Sequence, residues 1–257
     1  MGERPGGLSR EEAYGRLYEA MHGDGSLDER LLAALEVGTA YLGVEQGYIT
    51  EIDPETDEWE VVVSTTPDEQ PDLTGLQEDL SNTFCRRTIR EEGVFAFADA
   101  EAAGMDDHPT TQNYGVHCYH GSRILVDGEP HGTVCFSSVS ARREPFSDAE
   151  KSFTHLLAGM AGYETEQREY ERRLSERERE LEERREIYRA VIDASFDFVF
   201  RFDREGQFTY TSPSTEAFLG YEPSELDGRP ITDLHPDEET TERAWELIER
   251  VLDGETV

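Results

Sequence analysis

The sequence predicts an α+β fold: helices against one antiparallel sheet, then a long exposed helix, then a smaller, incomplete α/β unit. Three observations carry this expectation. Over 8–163, helical periodicity opens and closes the segment, and the strand-like runs between come in pairs joined by short turns. From Glu164 to Arg189 the chain has neither Gly nor Pro, and Glu and Arg dominate. Over 190–257 only two strand-like runs occur, and a lone hairpin is marginal in water.

In the first segment a helix is expected over 11–21. A second, Leu27–Leu42, has Leu31, Leu32, Leu35 and Leu42 at helical spacing. Strands 47–52 and 59–65 flank the turn residues of 53–57. Ser81 is the expected cap of a helix over 82–92 that ends at Gly93. Val94–Phe97 reads as a short strand, followed by a long polar loop over 99–115. A second hairpin joins Cys118–Val126 to 131–139 through Asp127-Gly128-Glu129-Pro130. Ser147-Asp148-Ala149-Glu150 is a capping box that opens the closing helix.

That helix runs on through 164–189. Tyr163, Gln167, Tyr170, Leu174, Arg177, Leu181, Arg184, Tyr188 and Val191 alternate by four and three residues, which is a heptad seam with polar interruptions. One reading is a single solvated helix held by i,i+4 Glu–Arg pairs. The other, which we favour, is a two-stranded parallel coiled coil, making the chain a homodimer through Tyr163, Tyr170, Leu174, Leu181 and Tyr188. In the last segment a short helix over 187–195 precedes strands 198–203 and 207–211. Helices over 213–219 and 238–252 follow, the latter with Ala244, Leu247, Ile248 and Val251 on one face.

Composition narrows the partners. The 257 residues carry 58 acidic against 24 basic side chains, a formal net charge of −34. Such a surface repels phosphate backbones and anionic bilayers, so neither nucleic acid nor membrane is an expected partner. No run of ~18 apolar residues occurs, and Met1-Gly2-Glu3-Arg4-Pro5 lacks the apolar core of a signal peptide; a cytoplasmic location is expected. Lys151 is the only lysine, and the acids are spread over the whole length. A very salty cytoplasm, where repulsion is screened within ~3 Å at 1 M ionic strength, suits that pattern, so a halophilic source is expected.

Cys85, Cys118 and Cys135 are the sharpest chemical feature. Cys85 sits near the start of the expected inserted helix, followed by Arg86 and Arg87, and all three features favour the thiolate. Cys118 and Cys135 lie on the two arms of one hairpin and are expected to face the same side. The three are either small buried hydrophobes or a reversible thiol sensor. His108, His117, His120 and His131 surround the same hairpin and are expected to lie in loops or on the surface. No metal site is expected, since no CxxC pair is present and neighbouring strand residues such as His117 and Cys118 point apart.

The last segment resembles a PAS domain. The resemblance runs from Asp197-Phe198-Val199-Phe200-Arg201-Phe202-Asp203-Arg204-Glu205-Gly206-Gln207-Phe208-Thr209-Tyr210 through Phe218-Leu219-Gly220-Tyr221 to His235-Pro236-Asp237. It spans about two-thirds of a ~100-residue unit, which implies an incomplete PAS-type α/β unit. The first segment resembles a GAF domain of archaeal sensory proteins. It does so through Asn82-Thr83-Phe84-Cys85-Arg86-Arg87-Thr88-Ile89, Val116-His117-Cys118-Tyr119-His120-Gly121 and Val126-Asp127-Gly128-Glu129-Pro130-His131-Gly132-Thr133-Val134-Cys135-Phe136.

Together the resemblances imply three parts: a GAF-like sensory domain (8–163), a signalling coiled-coil helix (164–189) and a partial PAS domain (190–257). They imply an input module, without catalysis of its own, that relays a ligand or redox signal to a downstream partner or an output domain such as a histidine kinase. Both families imply a pocket between sheet and helices, lined here by Phe84, Ile89, Phe95, Tyr114, Tyr119 and Phe136; the cofactor is unknown. Free methionine sulfoxide reductases, which are GAF domains using cysteines, supply an enzymatic alternative, although glycines flanking Cys85 are absent here. A ligand-free interaction scaffold is a further alternative.

Overall fold

The structure, a computed structural model, describes residues 7–53, 55–65, 72–195, 197–234, 237, 239, 240, 242, 243, 246 and 250. The helix expected over 238–252, with Ala244, Leu247, Ile248 and Val251, falls largely outside them. The chain divides into two compact units, Met1–Arg172 and Arg173–Val257.

In the first unit, α1 (Arg10–His22) and α2 (Leu27–Leu42) each start at a complete capping box, Ser9 with Glu12 and Ser26 with Glu29. These boxes satisfy amide donors that the first helical turn leaves unpaired. Gly43 closes α2 at φ 64°, a left-handed position that glycine takes without strain.

Six strands then build one antiparallel sheet in the order β3-β2-β1-β6-β5-β4. They are β1 (Gln46–Asp53), β2 (Glu58–Ser64), β3 (Gln77–Asp79), β4 (Val94–Phe97), β5 (Cys118–Val126) and β6 (Glu129–Ser138). Between β3 and β4 lie a 3-10 turn and the single-turn α3 (Cys85–Thr88); between β4 and β5 lies α4 (Pro109–Tyr114). α5 (Asp148–Ala194) opens at the expected capping box, where Ser147 and Glu150 bond each other's backbone amides.

The two sheet faces bury separate cores. α1, α2 and the start of α5 cover one face through Leu17, Leu35, Phe153 and Leu157, packed on Ile49, Ile124, Val134 and Phe136. On the other face Trp59, Val61, Leu80, Phe84, Cys85, Phe97, Tyr119 and Cys135 pack under α3 and its loops. Gly162 brings α5 so close to β5 that a Cβ there would fall on the Leu125 carbonyl.

Several expected elements change. The helix over 82–92 is one turn, because from Arg90 to Gly93 nothing apolar remains to anchor a second. The polar loop 99–115 contains α4, started by Pro109 and stopped by Gly115 at φ 66°. The separate helix over 187–195 is the end of α5.

The second unit holds a two-stranded sheet, β7 (Phe200–Phe202) with β8 (Phe208–Thr211). α6 (Thr215–Leu219), α7 (Pro223–Leu226) and a 3-10 turn Ile231–Leu234 follow. Phe208 and Leu226 are its buried apolar anchors. Among the described residues no helix is long and apolar enough to cross a membrane.

Candidate functional site

A cavity of about 810 Å³ opens on the α3 side of the sheet, within the 300–1,000 Å³ common for small-molecule sites. Tyr48 and Trp59 come from β1 and β2, Phe84 and Cys85 from the α3 turn, Tyr114 from α4, and Ser137 and Ser138 from β6. Strand alternation puts Tyr48, Trp59 and Cys135 on this face, while the intervening Ile49 and Val134 point to the helices. Tyr114 donates to the Glu78 carboxylate, and this contact pushes the phenol up to about 12. Trp59 is buried, and its indole Nε1 makes no well-formed hydrogen bond, only a loose approach to the Cys85 thiol. Glu45 and Glu78 are the charged residues among the described lining; no Lys, Arg or His lines it.

At the inner wall, Cys85 Sγ lies 3.6 Å from Cys135 Sγ. Thr133 Oγ1 donates to Cys85 at 3.2 Å and lies 3.1 Å from Cys135, and the Tyr119 hydroxyl lies 3.1 Å from Cys135. Thr88 and Thr50 extend this network to Tyr119 and Thr133 at 2.8 and 2.7 Å. Burial pushes the Cys85 thiol up, but donors from Cys135, Thr133 and Tyr119, with the Trp59 indole close by, outweigh it and leave Cys85 below its usual value. Burial raises Cys135. Of the two, Cys85 is therefore the thiol that loses its proton first.

The structure places the sequence-predicted residues as follows. Phe84, Cys85 and Tyr114 line the cavity. Tyr119, Ile89 and Phe95 form the core beside it, with Phe84 and Tyr119 ring centroids 5.1 Å apart. Phe136 is on the opposite face, against Gly38 and Gly47. Cys118 is also on that face, and burial raises its thiol to about 11.

Cys118 and Cys135 therefore do not share a side. A bulge at Ile124/Leu125 shifts the pairing by one residue, setting Cys135 opposite Gly121 and Cys118 opposite Ser138. One residue of slip turns every later side chain to the other face. Arg86 and Arg87 do not act on Cys85 as expected: Arg86 pairs with Asp57, and Arg87 lies over the Phe95 ring at 4.7 Å. His120 is not a surface histidine. It is fully buried beside Phe146, with neither ring nitrogen bonded. Trp59, Tyr48 and the Glu45/Glu78 rim were missed, although the alternation of 59–63 already put Trp59 and Val61 on one face. Among the described residues no three His, Cys, Asp or Glu side chains come together as a group that could hold a metal ion.

Known proteins match this arrangement in fold. The family model for the GAF domain matches residues 26–164, and that for the PAS fold matches 192–257. The phycocyanobilin-bound GAF domain of a cyanobacterial phytochrome is 18% identical, covering 64% of this chain and 97% of that one at a TM-score of 0.52. The GAF domain of a phosphoenolpyruvate-protein phosphotransferase from Coxiella burnetii is 16% identical, covering 64% and 98% at 0.52. The free methionine-R-sulfoxide reductase of Neisseria meningitidis, solved with its substrate, is 12% identical, covering 65% and 95% at 0.50. No curated protein sequence matches the chain. The GAF match alone spans more than half of the residues: the chain belongs to the GAF domain family, its long helix leading from that domain into a PAS-fold region.

Proposed function

We propose that this chain is a cytosolic sensory input module whose GAF cavity takes a small, flat ligand that is uncharged or cationic. The observation that carries the reading is the cavity itself: aromatic walls, an indole donor at Trp59 that makes no well-formed hydrogen bond, and two carboxylates with no cation among its described lining. Aromatic faces attract cations and stack on flat rings, whereas a phosphate or carboxylate ligand would be buried without a counter-charge. Native mass spectrometry of the full chain in volatile salt tests this. A retained uncharged or cationic molecule, lost in Trp59→Phe, is expected, and added cyclic nucleotide should not be retained. Retention of an anion, or unchanged retention in Trp59→Phe, would refute the ligand class.

Transmission runs through α5. Gly162 holds the helix against the β5–β6 hairpin whose inner face supplies Tyr119 and Cys135, so a shift of that hairpin is passed on to the helix. Beyond it, Tyr163, Tyr170, Leu174, Leu181 and Tyr188 are 49–64% exposed along the heptad seam. Exposed apolar residues on a heptad seam, with Leu174, Leu181 and Tyr188 seven residues apart, support a parallel homodimer that passes the signal to a partner or output domain. In sedimentation at molar KCl, the wild type is expected to be a dimer. Replacing Leu174 and Leu181 by Glu should give monomers that keep the circular dichroism of the first unit; a monomeric wild type would remove the dimeric premise.

Cys85 on the cavity wall, with Cys135 behind it, favours one second reading, a thiol-dependent sulfoxide reductase. That reading requires Cys85-dependent turnover of methionine sulfoxide; the sensory reading requires none above background.

A further inference from the structure

We propose that Cys85 and Cys135 are a peroxide-reactive dithiol that closes into a disulfide across the cavity wall. The two sulfurs come from elements far apart in sequence, α3 and β6, yet sit 3.6 Å apart and touch the same hydroxyl, Thr133 Oγ1. Both sulfurs are buried, but they stand differently to the cavity. Cys85 lines the cavity, whereas Cys135 is fully buried behind it. A small oxidant that enters the cavity therefore meets Cys85 first. Bonding at ~2.05 Å requires the sulfurs to approach by about 1.5 Å. The less restrained backbone in that approach is α3, which is one turn long, whereas Cys135 is held in a strand paired on both sides.

The chemistry balances with a hydroperoxide as the two-electron oxidant. The Cys85 thiolate attacks the terminal peroxide oxygen, the O–O bond breaks, and the alkoxide or hydroxide leaves and takes a proton from water. Cys85 is then a sulfenic acid. The Cys135 thiol gives up its proton and attacks the Cys85 sulfur; the S–O bond breaks and hydroxide leaves with that proton as water. Two thiols and one peroxide become one disulfide, one alcohol or water, and one further water. The Tyr119 hydroxyl, 3.1 Å from Cys135, is placed to hydrogen-bond the sulfur as it loses its proton. Cys118, on the other face among the helices, takes no part.

The bond would tie the α3 turn to β6, in the hairpin that contacts α5 at Gly162. Only this consequence rests on the proposed sensory role; the dithiol chemistry does not.

The test exposes the full folded chain to hydrogen peroxide, then quenches it in acid, denatures it and alkylates it with N-ethylmaleimide for intact-mass and peptide analysis. Wild type is expected to lose the mass of two hydrogens, to take maleimide at Cys118 alone, and to yield a linked peptide holding Cys85 and Cys135. Cys118→Ser should give the same linkage. Cys135→Ser should stop at a Cys85 sulfenic acid that dimedone traps, which also shows that this variant keeps the cavity open. Maleimide at all three cysteines after peroxide, or a linkage that includes Cys118, overturns the proposal. Sedimentation and ligand retention are read on the oxidised sample: a disulfide that changes neither leaves the dithiol standing and counts against the sensory role.

Discussion

Gly162→Ala will destabilise the first unit by about 2–3 kcal/mol, and Gly159→Ala, three residues earlier on the same helix, will stabilise it by roughly 0.5–1 kcal/mol. The opposite signs follow from where each Cβ would go. At Gly159 there is open space, so alanine only removes the entropic cost that glycine brings to a helix interior. At Gly162 the new methyl would fall on the Leu125 carbonyl oxygen and press on Ile124, and a strand backbone cannot rotate away. The helix must lift off the hairpin, loosening the packing of Leu157, Ala158 and Ala161. Urea denaturation followed by circular dichroism measures both variants. Equal effects would show that α5 is not in close contact with β5. The same variant bears on function, since lifting the helix at this point should uncouple its far end from whatever occupies the cavity.

Acidification from pH 6.5 to pH 5 will cost the first unit about 2 kcal/mol through His120 alone. Burial lowers the His120 pKa to about 3, against an ordinary 6.5; Glu150 opposes the shift, and Arg142 and Lys151 add to it. The folded state therefore stays neutral at this position while the unfolded state takes up a proton below pH 6.5. Stability from a depressed histidine is present above the unfolded value and falls away as the pH drops towards the folded one. His120→Leu removes the titration and should flatten the curve between pH 5 and 6.5, without a change in the shared relief of acidic repulsion. Carboxylates with lowered values, such as Glu150, titrate below this window. Parallel curves for wild type and His120→Leu would show that the ring is hydrated in the folded protein.

The α+β order of elements was legible because its signals are local. Ser147 and Glu150 announce the start of α5, and Leu31 and Leu35 mark the buried side of α2. The absence of Gly and Pro over 164–189 agrees with a helix that runs on to Ala194. β3 was not legible: Gln77, Glu78 and Asp79 are polar and gain strand form only by pairing with β2. α4 carried a usable signal in Pro109 and Gly115, hidden by the polar composition around it. The cavity was half legible, since Phe84, Cys85 and Tyr114 were anticipated but Tyr48 and Trp59 were not.

Pattern and composition thus suffice for the helices α1, α2 and α5, for the main strands, for the acidic surface and for the heptad seam, because each depends on neighbours within a few residues of chain. Which face Cys135 takes, and with it the meeting of Cys85 and Cys135, was decided by a single extra residue at Ile124/Leu125. His120 likewise became a buried neutral base only because Phe146 and the first turn of α5 close over it. Register and burial depend on contacts made across the sheet, where one residue of slip reverses inside and outside.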